Sequence, residues 1–279
     1  MTGATHSKWF SPNPDKAFGE KLFLTYFFFF MSYQTLLQKM GWVDVGDFWG
    51  TVTTLITWIP YLVILPAFLR RKSGIPWYQS YWFKLNVYMM VYVFFSTYFH
   101  SEWFFKYLGM RYNFPHQFLD FDSMACGPDQ ATARESFQAV PLSRYLDTMG
   151  FFTVYHTIAI VTMRRVRNMT SSLPAIGQRT LWVAIVVVAA VFFAWAETFF
   201  YIQNAVSKTV WYVDKSAMLR VGTSLYALYF LVSFPNLFRL DETADQKWTI
   251  RRSIVEASFV SMVTLFVIDT WVRIHGPIV

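Results

Sequence analysis

The stretch LWVAIVVVAAVFFAWAETFFYIQN, residues 181–204, decides the fold. A helix needs about 20 mostly apolar residues to cross the hydrocarbon core of a bilayer, and this stretch supplies them with Glu197 as its one formally charged side chain. Six further segments have the same character, at roughly 20–38, 48–69, 80–105, 145–163, 217–239 and 253–275. The reading is all-α: a polytopic membrane protein forming one domain over residues 1–279, a bundle of about seven transmembrane helices. The links are short and polar except for 106–144, which carries Pro115, Gly127, Pro128 and Pro141 and is expected to form an ordered or partly re-entrant loop. No internal repeat is evident.

Composition supports lipid as the solvent. Charged residues make up 15% of the 279, against about 25% in an ordinary soluble domain. Mean hydropathy is only +0.32, because the index scores Trp and Tyr as mildly polar and the chain has 12 Trp and 16 Tyr beside its 30 Phe. A single cysteine, Cys126, excludes an intrachain disulfide and a thiolate metal cluster. The net charge of +7 comes from residues flanking apolar segments, where they meet anionic lipid headgroups rather than nucleic acid. The expected partners are therefore membrane lipid and no nucleic acid, and the sequence is silent on oligomeric state.

Alternate loops differ in Lys and Arg, as the positive-inside rule requires of a correct helix count. One side receives Lys8, Lys16 and Lys21, the run RRK at 70–72 with Lys84, the run RRVR at 164–167 with Arg179, and Arg239, Lys247, Arg251 and Arg252. The other receives fewer: Lys39, Lys106, Arg111, Arg134, Arg144, Lys208, Lys215 and Arg273. The expectation is an integral membrane protein with a cytoplasmic N-terminus and the 106–144 loop on the opposite face. MTGATHSKWFSPNPDKAFGE at the start has no signal-peptide core or cleavage site, so the first membrane helix is expected to do the targeting.

Ionisable groups at membrane depth are costly and so are candidates for function. Glu197 and Asp269 each lie about 16 residues from the cytoplasmic end of their helix, roughly 24 Å in at 1.5 Å per residue. His100 and Glu102 reach a similar level and His156 sits near mid-helix. Glu197 is the most informative, with Phe193, Phe200 and Tyr201 on its own face at helical spacing. Exclusion of water there favours the protonated acid, the form that delivers a proton to an unactivated carbon; a plain interhelical hydrogen bond is the other reading. His156 reads as acid, base or relay, or as a satisfied interhelical partner. Asp269 reads as a functional carboxylate or as the partner of Arg273 four residues on. Asp214 reads first as a helix cap or as the partner of Arg220. No nucleotide loop, HExxH-type metal array or haem attachment site is present, so no metal and no cofactor are expected.

Several stretches carry a resemblance. They are VDKSAMLRVGTSLYALYFLVSFPNLFRLDE at 213–242, DTWVRIHGPIV at 269–279, WFSPNPDKAFGE at 9–20, YWFKLN at 81–86, YFHSEWFFKYLG at 98–109, YNFP at 112–115, YH at 155–156 and AWAET at 194–198. Together, colinear over nearly the whole chain, they resemble the cycloeucalenol cycloisomerase family, also called cyclopropyl sterol isomerases. The segment 117–144 is longer than in the plant enzymes, and His100 and Glu102 stand where the family has a tryptophan and a histidine, so no role is carried onto Glu102.

The resemblance implies an enzyme that opens the 9β,19-cyclopropane of a sterol such as cycloeucalenol to give an 8-ene sterol such as obtusifoliol, by protonation and deprotonation without a redox cofactor. Under it, Glu197 is the expected proton donor, His156 the relay or base and Asp269 a tuning carboxylate. Phe193, Tyr201, Tyr98, Asp214 and Tyr226 are the expected substrate-binding residues, with a sterol as partner. The rivals are a sterol double-bond isomerase and a non-enzymatic sterol-binding membrane protein. The compartment follows the source cell: endoplasmic reticulum in a eukaryote, inner membrane in a bacterium.

Overall fold

The computed structural model describes residues 9–203 and 206–278. Lys8 of the charge asymmetry, Asn204 at the end of the fifth expected helix and the terminal Val279 lie outside the described residues. Helix dominates, as seven long rods among the described residues: α1 (Pro14–Lys39), α2 (Asp47–Leu69), α3 (81–107), α4 (Leu142–Met169), α5 (Ala175–Tyr201), α6 (Lys215–Phe238) and α7 (Ile250–His275). Four of them, α2, α5, α6 and α7, are long and apolar enough to cross a membrane. The other three, α1, α3 and α4, carry charged and polar side chains along their length, and the packing shows why: α4 is the central rod, touching α1, α2, α3, α5 and α6, so its polar groups meet protein on every side.

Local chemistry sets the ends. α1 starts at Pro14, six residues before the apolar run, because Asn13 caps it by accepting from the Asp15 amide at 3.1 Å and Pro14 brings a pre-set φ to the first turn. Thr249 caps α7 in the same way through the Arg252 amide at 3.1 Å, and Gly276, with φ +69°, ends it in a conformation that only glycine adopts freely. Pro60 lies within a π-helical turn of α2, Ile59–Ile64, which relieves the crowding of the proline ring against the preceding turn. Gly150 lets α4 approach α1: a Cβ there would collide with the Phe30 ring.

One end of the bundle is knotted by buried charge. Lys16 of α1 donates to the carbonyls of Phe238 at 2.7 Å and Leu240 at 2.6 Å and pairs with Glu242 at 3.0 Å. Arg164 near the end of α4 donates to both Glu242 oxygens, at 2.8 and 2.6 Å, and to Glu20 at 2.9 Å. Lys84 of α3 pairs with Asp241, which also accepts from the Trp248 amide at 2.7 Å. Burial alone pushes the Glu242 carboxyl up, but Arg164 and Lys16 outweigh it and hold the group below its ordinary range. Lys16, Lys84 and Arg164 thus face protein and not headgroups, which corrects the reading of every basic cluster as a lipid contact.

The other end carries a small antiparallel sheet, β1 (Met110–Tyr112) against β2 (Val210–Tyr212), with Arg111 opposite Trp211. The long loop around it is ordered: a short helix, Gln130–Glu135, is capped by Asp129, and Asp47 at the start of α2 accepts from the Phe118 and Leu119 amides at 2.9 Å each. The chain's end closes on the same region, Ile278 donating to the Tyr107 carbonyl at 2.9 Å.

Removing one partner of a fully buried pair leaves an uncompensated charge, a loss of about 3–5 kcal/mol. Lys84→Met should therefore lower the thermal unfolding midpoint in detergent sharply, and Lys84→Met combined with Asp241→Asn, which keeps an acceptor for the Trp248 amide, should recover part of the loss.

Candidate functional site

A cleft with about 850 Å³ of space free of protein atoms, part of it continuous with the outside, lies under the sheet. Strand alternation builds its roof. Met110, Tyr112, Val210 and Tyr212 point inward to line it, while the intervening Arg111 and Trp211 are not among its lining residues. The walls are helical: Ser96, Thr97, Ser101 and Phe104 from α3, Asp147, Phe151 and Phe152 from α4, Glu197 and Tyr201 from α5, and Tyr226 and Tyr229 from α6.

Two of these walls are π-helical turns, Ser96–His100 and Glu197–Tyr201, and a third, Met218–Gly222, lies in α6 two turns before Tyr226. π turns inside α-helices are frequent at functional sites. Here the wide turn decides which rings face inward: Tyr201 lines the cavity beside Glu197, whereas Phe200 is 65% exposed on the outside of α5. The expectation of Phe200 on the face of Glu197 assumed ordinary α spacing, and this is the correction.

Glu197 is half-buried, and it lines the cavity. Its Oε2 accepts from the Tyr226 hydroxyl at 2.6 Å, and the Tyr155 hydroxyl stands near as well. Around it the rings interlock, with Phe151 and Tyr201 4.6 Å apart edge to face and Phe104 and Tyr226 at 5.1 Å. Burial, partly opposed by the charge of Arg144, holds the Tyr112 phenol up at about 12, so the roof offers a neutral hydrogen-bonding group. The arrangement is a carboxyl in a low-dielectric aromatic box, suited to giving a proton to a hydrocarbon and facing the resulting cation with ring quadrupoles.

Of the residues singled out in the sequence, Glu197, Tyr201 and Tyr226 come together in this cavity. Phe193 lies one turn behind Glu197 and stacks on Tyr155 at 5.0 Å. His156 is fully buried outside the lining: Nδ1 is 2.7 Å from the Phe152 carbonyl and so carries the proton, and Nε2 accepts from Ser233 at 2.8 Å. Both nitrogens are engaged. Asp269 is 41% exposed at the side chain and pairs with Arg273 at 2.9 Å on the outside of α7, and it does not line the cavity that holds Glu197. Asp214 caps the start of α6, accepting from the Ala217 amide at 2.8 Å. Tyr98 stacks between Phe94 and Phe121, at 5.8 and 5.2 Å, off the cavity. His100 packs edge-on to Tyr229 at 5.1 Å, and Glu102 is buried beneath Gly127, whose backbone lies where no Cβ fits.

Sequence reading passed over Arg144 and Asp147, which line the cavity as an ion pair. Their signal was opposite charge at i and i+3 across an expected loop–helix boundary. Among the described residues, no three of His, Cys, Asp and Glu gather in a way that could hold a metal ion.

No family model matches the sequence, and no solved structure matches it. A curated relative, named cycloeucalenol cycloisomerase, from Arabidopsis thaliana, is 32% identical over 291 residues, covering 100% of this chain and 94% of the relative.

The placements of His156 and Asp269 separate cleanly by stability. Ser233→Ala leaves a buried histidine nitrogen unpaired and should cost about 1–3 kcal/mol, whereas Asp269→Asn removes only an exposed pair and should cost less than about 1 kcal/mol; denaturant titration of both variants measures the difference.

Proposed function

We propose that this chain, which belongs to the cycloeucalenol cycloisomerase family, opens the 9β,19-cyclopropane ring of cycloeucalenol-type sterols to give obtusifoliol-type 8-ene sterols. The observation that carries the reading is Glu197, hydrogen-bonded to Tyr226 at 2.6 Å in a cavity walled by aromatic rings. Glu197 in its acid form gives its proton to the cyclopropane methylene. The electrons of the bond between carbons 9 and 19 form the new C–H bond, the angular methyl appears and carbon 9 becomes cationic. The proton on carbon 8 then leaves, its bonding electrons become the 8,9 double bond, and the carboxylate of Glu197 takes it up. Atoms and charge balance, and the catalyst returns to its starting form.

The tyrosine and phenylalanine rings of the walls stabilise the cation without offering a strong nucleophile to trap it. Tyr226, donating to the carboxyl, holds it in place and supports the carboxylate once the proton has gone. The engaged nitrogens of His156 and the outward position of Asp269 suit packing and surface roles better than the relay and tuning roles expected of them. On the same reading the bundle spans the membrane seven times, the end with the buried charges lies at the cytoplasm, and the sterol is drawn from the surrounding lipid.

Membranes containing the protein, incubated with cycloeucalenol in heavy water, should yield obtusifoliol with one deuterium in the new angular methyl. Glu197→Gln should bind sterol yet lose about 10²- to 10⁴-fold in turnover. Full turnover by that variant would remove Glu197 as donor, and retention of unchanged cycloeucalenol by the folded protein would point to a binding protein instead.

A further inference from the structure

The ring-opening step makes no use of the pair on the α4 wall of the cavity. Arg144 Nη1 donates to Asp147 Oδ2 at 3.2 Å, and the two side chains are only 14% and 10% exposed. Asp147 Oδ1 accepts from Gln34 of α1 at 2.8 Å. A second space of about 340 Å³, between α1 and α2, is lined by Gln34, Leu37, Trp42 and Thr53 and shares Arg144, Asp147 and Tyr201 with the first. The pair therefore stands where two cavities adjoin.

From this placement we propose that Arg144 and Asp147 bind the sterol's hydroxyl and so fix which carbon of the ring system meets Glu197; the inference rests on the reading of the cavity as a sterol site. A rigid polycyclic hydrocarbon with a single alcohol has one polar handle. Apolar walls alone do not decide its direction along the cavity. A hydroxyl both donates and accepts: the Asp147 carboxylate has lone pairs beyond the two it uses for Arg144 and Gln34, and the guanidinium has five N–H donors. The pair is neutral as a unit, so it suits an uncharged alcohol over a carboxylate or sulfate. A ketone accepts from Arg144 but leaves Asp147 without a donor, and a deoxy sterol satisfies neither. Sites built to hydrogen-bond an alcohol discriminate strongly against analogues that lack it. Glu197 apart, the other polar groups of the wall are the hydroxyls of Ser96, Thr97, Ser101, Thr148, Thr198 and the tyrosines, which are uncharged and make weaker hydrogen bonds.

The test compares cycloeucalenol with its 3-deoxy and 3-keto analogues, measuring turnover and displacement of a fluorescent sterol from the purified protein in lipid nanodiscs. The wild-type protein should prefer the alcohol by about tenfold to a hundredfold in KM and in binding, the factor expected of a hydrogen bond to a charged group. Asp147→Asn and Arg144→Gln should bring that ratio toward one and also lower kcat for the alcohol, because a sterol without its anchor binds out of register with Glu197. Equal handling of the three sterols by the wild-type protein overturns the proposal without any variant, so misfolding of a variant does not protect it. Variants that lose alcohol and analogues in equal proportion overturn it too. Preferential binding of the alcohol with no product would sink the ring-opening reading and leave the anchor standing; no binding and no product would sink both.

Discussion

Charge that has left water must find a partner, and that requirement organises one end of this molecule. Lys16, Glu20, Lys84, Arg164, Asp241 and Glu242 come from α1, α3, α4 and the segment after α6, and each is tolerable only while the others are in place. The network also ties down the chain before α1, since the Ser11 amide donates to Glu20 at 3.0 Å and Asn13 donates to the Asp241 carbonyl at 3.0 Å. Asp241 itself adopts φ +49°, an uncommon conformation for a residue with a Cβ, which aims its carboxylate at Lys84 and at the Trp248 amide.

The opposite end is held by different means and does different work. Regular winding gives way to π turns in three helices, two short strands cross the opening, and hydrogen bonds from loop amides to Asp47 and Asp122 work beside the Arg134–Asp120 and Arg144–Asp147 pairs. Such irregular backbone is tolerated at membrane depth where it is buried in protein or lines a cavity, and here two of the π turns form the cavity wall. The buried charges lie away from the site, and two of its walls come from the parts of α3 and α5 that depart from ideal geometry.

What the sequence disclosed follows the same division. Glu197 was legible because a lone carboxyl among Val, Ala and Phe announces itself, and Tyr201 because it lies within one turn. Asp269 misled because counting residues along a helix gives height but not direction: its side chain is exposed on the outer face of α7, paired with Arg273. The early start of α1 was hidden by the charges of Asp15, Lys16 and Glu20, which a search for apolar runs discards, and whose partners, such as the Leu240 carbonyl 224 residues from Lys16, no local pattern reveals. Asp147 escaped notice because its neighbour Arg144 falls in an expected loop, although the structure starts α4 at Leu142 and puts both inside the bundle.

The π turn at Glu197–Tyr201 makes the cavity depend on a count. A π turn is a local bulge that takes up one residue more than an α turn, so deleting one residue from it would restore ordinary winding and change which side chains of the turn face the cavity. Glu197 and Tyr201, which the wide turn places side by side on the wall, would no longer both line it. Conservative exchanges of side chain alter the lining while keeping its shape; a change of length by a single codon in this turn removes the shape itself. Insertions and deletions, which loops absorb readily, re-aim the cavity lining when they fall in these five positions.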